Sequence, residues 1–92
     1  MTDSAVHIIA DGRVQGVGFR FFVRQHASSL GLTGWVRNCI DGKVEIHAEG
    51  EHATLELFIG HVRQGPTFGH VDDLVIEWTQ PERIYSGFDI TF

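Results

Sequence analysis

The stretch TGWVRNCIDGKVEIHAEG, residues 33–50, reads as two strands joined by a tight turn. Asp41-Gly42 supplies the turn, since glycine accepts positive φ and aspartate bonds its own backbone. Beyond it Val44, Ile46 and Ala48 alternate with Lys43, Glu45, His47 and Glu49, which predicts one buried and one wet face. Before it, a strand around 33–39 is expected. Counting by twos from Val36 through Asn38 to Ile40 sets Asn38 in an apolar row, on the face that a helix covers.

An amphipathic helix flanks the hairpin on each side. Phe19, Phe22, Val23, Ala27 and Leu30 recur at helical spacing, and Gly31-Leu32 supplies a C-cap glycine with its apolar partner, so a helix is predicted at about 20–30. Leu55, Phe58, Ile59 and Val62 mark a second over about 52–64, stopped by Gly65-Pro66. Farther out, AVHIIA at 5–10 is a β-branched run ended by Asp-Gly, a strand partly covered on both faces. Residues 71–79 carry Leu74, Ile76 and Trp78 on one side of another strand, and GFDITF at 87–92 alternates Phe88, Ile90 and Phe92 for a short last one.

The order strand, helix, strand, strand, helix, strand, with a terminal strand added, packs most simply as two layers. Both helices lie on one face of a mainly antiparallel sheet, the α+β ferredoxin-like sandwich (βαββαβ). The chain has 92 residues, which predicts a single domain over 1–92. With 42% hydrophobic residues and 21% charged, its composition is that of a globular protein. Cys39 is the only cysteine and no export or membrane-spanning run is present, so a cytoplasmic location is expected.

The formal net charge of -5 argues against a nucleic-acid surface. The charge is unevenly spread. Residues 11–43 hold five cations against two acids, a local +3, whereas 44–92 hold two arginines against nine acids, a local -7. The positive part surrounds DGRVQGVGFR at 11–20, where Gly12, Gly16 and Gly18 fall within seven positions between the first strand and the first helix. A loop entering a helix exposes free N–H groups and the positive end of the helix dipole. Glycines let those vectors converge. The backbone from Gln15 to Arg20 can therefore cradle an oxyanion, with the Arg20 guanidinium forked over the same spot; the plainer alternative is a tight turn with a solvated arginine. Asn38 either caps its own turn or faces the anion pocket and holds a water.

Other phosphate chemistries fail on detail. A P-loop needs Gly-Lys-Ser/Thr where this loop ends Gly-Phe-Arg, and Cys39 has Glu45 where a cysteine phosphatase needs arginine. No Gly-x-Ser-x-Gly elbow exists, and His7, His26, His47, His52, His61 and His70 form no metal-ligand spacing, so no metal is expected. Cradle, arginine and amide can stabilise phosphoryl transfer by position and charge alone. That equipment suits attack of water on a phosphoric-carboxylic anhydride, whose leaving group is already good.

GRVQGVGFR at 12–20 and GLTGWVRNCIDGKVE at 31–45 together closely resemble the acylphosphatase family, and the likeness extends to GPTFGHVDDL at 65–74 and SGFDITF at 86–92. The resemblance implies a five-stranded ferredoxin-like sheet and hydrolysis of a small-molecule acyl phosphate to a carboxylate and inorganic phosphate, the latter also an inhibitor. It implies no cofactor. By position, Arg20 would bind phosphate and Asn38 would orient the attacking water, with the backbone N–H groups of Gln15, Gly16, Val17, Gly18 and Phe19 completing the cradle. A monomer without nucleic-acid or membrane partners is expected. The sequence departs in Pro-Thr-Phe, where relatives often have two prolines, and in Cys39, at a variable position.

Overall fold

The computed structural model describes residues 3–92. The elements are β1 (Asp3–Arg13), α1 (Phe19–Ser29), β2 (Thr33–Asn38), β3 (Val44–Glu51), α2 (His52–Gln64), β4 (His70–Thr79) and β5 (Phe88–Thr91). The strands form one sheet in the order β4-β1-β3-β2-β5. Every pairing is antiparallel except β2 with β5, which makes the ferredoxin-like sheet mixed.

Register explains the core. Ile76, Ile8, Ile46, Val36 and Ile90 face one another across all five strands, a continuous apolar stripe on the helix side. Phe19, Val23 and Ala27 of α1 and Leu55, Phe58 and Val62 of α2 close over that side and are buried. Each large side chain so removed from water contributes roughly 1.5–3 kcal/mol. α1 ends as the sequence predicts: Gly31 sits at φ 72, Leu32 N–H donates to Ala27 O at 2.9 Å and Gly31 N–H to Ser28 O at 3.1 Å.

The next row toward the loop end runs Leu74, Ala10, Val44 and then Asn38, its one polar member. Asn38 thus lies on the helix-covered face as expected. Ile40 does not continue the row. The hairpin closes at once after Asn38, with Cys39 N–H donating to Lys43 O at 2.8 Å, and Ile40 is thrown out into solvent. Phe92 likewise falls beyond the last paired residue of β5 and is exposed.

The outer face of β3 also departs from its alternation. His47 and Glu49, expected to be wet, are 7% and 5% exposed. The β4–β5 connection crosses over them. Glu49 accepts the N–H of Glu82 at 2.8 Å and of Arg83 at 3.0 Å, and pairs with His47 Nε2 at 2.7 Å. The Tyr85 ring covers His47, and Trp35 donates its indole N–H to the Tyr85 hydroxyl at 3.3 Å. A strand's own pattern cannot announce a strap contributed 33 residues later.

Burial pushes the Glu49 carboxyl up, but the N–H of Glu82, the His47 imidazole and the N–H of Arg83 together outweigh it and hold the group below the ordinary carboxylate value of 4.5. A folded-state value below the unfolded one contributes stability above about pH 4.5, lost as pH falls through the folded value. Glu49→Gln should cost about 1–3 kcal/mol at neutral pH and flatten the acid limb of stability against pH. Urea unfolding from pH 3 to 7 checks this; an acid limb as steep as wild type's would mean that Glu49 does not set it.

Candidate functional site

Between β1 and α1 the chain turns through two left-handed glycines, Gly16 at φ 75 and Gly18 at φ 77. A Cβ at either position would meet open space, so backbone conformation rather than crowding calls for glycine. Gly18 is the N-cap of α1, with no side-chain cap and no acidic residue in the first turn. Among the described residues, none of the backbone N–H groups of Gln15, Gly16, Val17, Gly18 and Phe19 donates a hydrogen bond; the first helical bond is Phe22 N–H to Gly18 O at 3.0 Å. A helix start in this state carries unspent donors and about half a positive charge.

Arg20 stands in that first turn, half-buried, and no carboxylate pairs with it among the described residues. Its guanidinium lies 6.0 Å from the centre of the Phe92 ring. Asn38 is half-buried across the helix-covered face, and its Oδ1 is buried with no hydrogen-bond partner. It therefore does not cap the Asp41-Gly42 turn; Asp41 Oδ1 does that by accepting Lys43 N–H at 3.1 Å. No hydrogen bond joins Arg20 to Asn38 directly. The loop and the hairpin are instead linked by the side chain of Gln15, whose Nε2 donates to Cys39 O and to Lys43 O, both at 2.8 Å. The sequence predicts Gln15 only as a backbone donor, because nothing in it shows where the hairpin mouth will lie.

Other groups are already committed. Arg37, the neighbour of Asn38 on the opposite sheet face, holds Glu45 through Nε and Nη2 at 2.6 Å, and His7 Nε2 takes the other Glu45 oxygen at 2.6 Å. The open groove of about 580 Å³ beside Trp35, Arg37 and Tyr85 thus has its cation neutralised. Burial first, then the carboxylates of Glu45 and Asp41, push the Cys39 thiol up, away from the thiolate that nucleophilic catalysis needs.

The histidines, scattered in sequence, are partly paired in space. His26 and His61 stack at 4.3 Å between the helices, and burial followed by His61 holds His26 below its ordinary value. His47, Glu49 and Glu82 bring ligand atoms within 4.8 Å of one another, yet the Glu49 oxygens already serve the strap that covers them.

Fold and site together define a ferredoxin-like α+β domain whose first helix opens on N–H donors left unspent, and an arginine left unpaired, among the described residues, a setting for an oxyanion. The sequence profile of the acylphosphatase family matches residues 6–90, and this chain belongs to that family. It is 47% identical over 85 residues to an acylphosphatase of Bacillus licheniformis, covering 92% of this chain and 94% of that protein. The crystal structure of acylphosphatase from Bacillus subtilis superimposes with a TM-score of 0.93 at 42% identity, over 97% of this chain and 99% of that one. A portion of full-length HypF, in a phosphate- and nucleotide-bound form, is similar with a TM-score of 0.87 at 30% identity, covering 99% of this chain and 12% of that one.

Proposed function

We propose that this chain hydrolyses acyl phosphates. The observation that carries the reading is the run of five loop amides that, among the described residues, have no acceptor, entering an uncapped helix beside a half-buried arginine that no described carboxylate pairs. Family membership supports the substrate class. In this reading the amides of Gln15 to Phe19 and the Arg20 fork hold the three phosphoryl oxygens, whose charge they balance as the phosphoryl group passes through its transition state. Water held by the Asn38 amide attacks phosphorus in line. The bond from phosphorus to the acyl oxygen breaks and its electron pair leaves on the carboxylate, which needs no proton. One proton of the water stays on the new P–OH, and the other passes to a phosphoryl oxygen, giving a carboxylate and dihydrogen phosphate.

No step in that sequence calls on a metal, a cofactor or a covalent intermediate, because position and fixed charge supply what the good leaving group does not. We place the enzyme in the cytoplasm as a monomer acting on a small molecule, with inorganic phosphate as product and competitive inhibitor; no helix among the described residues is long and apolar enough to cross a membrane. Purified protein should turn over benzoyl phosphate at the same rate in a chelator as without one. Activity that disappears with chelation and returns with a divalent ion would remove the metal-free mechanism. Phosphate binding without turnover would leave only a phosphate-sensing module.

A further inference from the structure

We infer that the side chain of Gln15 is a positioning residue, a brace that fixes the distance between the phosphate cradle and Asn38. The inference rests on the reaction proposed above. Gln15 is the first residue of the proposed cradle, and its half-buried amide reaches across 24 and 28 positions of sequence to Cys39 O and Lys43 O. These two carbonyls frame the mouth of the β2–β3 hairpin. Each already accepts one backbone bond, Lys43 O from Cys39 N–H at 2.8 Å and Cys39 O from Gly42 N–H at 3.2 Å. A carbonyl oxygen has two lone pairs, and an NH2 group has two hydrogens. Gln15 fills the second site on both at once.

This geometry also fixes which end of the amide points inward, because Oε1 would face two carbonyl oxygens and repel both. Asn38 immediately precedes Cys39, so the clamp is attached one residue from the proposed water-holding amide. Both hydrogens of its Nε2 are spent on the hairpin. Its effect would therefore fall on alignment, the distance from held water to held phosphorus, and not on the strength with which the loop and Arg20 bind phosphate. Alignment errors of about 1 Å reduce turnover by about 10²-fold.

The test compares wild type, Gln15→Ala and Gln15→Glu by benzoyl phosphate kinetics, inhibition by inorganic phosphate and urea unfolding. Gln15→Ala should lower kcat roughly 10- to 100-fold while KM and the phosphate inhibition constant move by less than about twofold. Gln15→Glu keeps the shape but aims a carboxylate at two carbonyls, so at neutral pH its kcat should fall at least as far. Protonation restores one O–H donor. The ratio of Gln15→Glu to wild-type kcat should accordingly rise as pH is lowered toward 5, whereas the Gln15→Ala ratio stays flat.

A Gln15→Ala kcat within about threefold of wild type would overturn the brace, as would a parallel rise of KM and the inhibition constant at constant kcat, which marks a residue that only shapes the loop. If Gln15→Ala does not fold, the Gln15→Glu ratio decides, and a ratio independent of pH overturns the proposal. An inactive wild type would overturn the function itself, and the brace with it; an active wild type beside an unaffected Gln15→Ala overturns the brace alone.

Discussion

Arg20→Ala is expected to lower acyl phosphate turnover by roughly 10³- to 10⁵-fold, the range lost when an arginine that balances transferring phosphoryl charge is removed. The fold should survive. Arg20 has no carboxylate partner to orphan among the described residues, and its contact with the Phe92 ring, at 6.0 Å, is worth at most about 0.5–1 kcal/mol at an exposed site. Inhibition by inorganic phosphate should weaken as well, by about 1.5–3 kcal/mol for a charge-assisted hydrogen bond. Arg20→Lys keeps the charge but loses the fork, so it should recover phosphate inhibition better than turnover. Steady-state kinetics with urea melts of each variant check this; full activity in Arg20→Ala would end the proposed mechanism.

Much of the candidate site's layout was legible in the sequence because it is built from local signals. A glycine loop followed by an arginine at a helix start needs only chain order to be understood, and Asn38 could be placed on its face by counting from Val36. The limits are equally physical. Counting by twos holds only while a strand lasts, and the bond from Cys39 to Lys43 ends this one just after Asn38, which is why Ile40 was misplaced. The burial of His47 and Glu49 depends on residues 82–85, and the link from Gln15 to the hairpin on residues 39 and 43. Such partners meet only after the sheet has set their positions. Periodicity reports what a segment does with its own two faces, not what a distant loop lays upon them.

At Asn38, activity and stability are expected to move in different directions. A carboxamide that ends a row of Leu74, Ala10 and Val44, with Oδ1 buried and unpartnered, is a liability in the native state. Leaving such an acceptor unpaired costs about 1–3 kcal/mol. Under the proposed mechanism the partner that the protein's own atoms do not supply is the attacking water. Asn38→Ala should then lower kcat by about 10²- to 10³-fold, the usual effect of deleting one preorganised polar group. Its denaturation midpoint should stay level or rise, by up to roughly 0.5–2 kcal/mol, because the unpaired acceptor is gone. Asn38→Leu should show the same divergence more strongly if its larger apolar side chain fits the row. A loss of activity that merely follows a loss of stability would point instead to Asn38 as a structural residue of the hairpin. A variant both more stable and nearly inactive would mean that the orphaned oxygen is retained for catalysis at the expense of the fold.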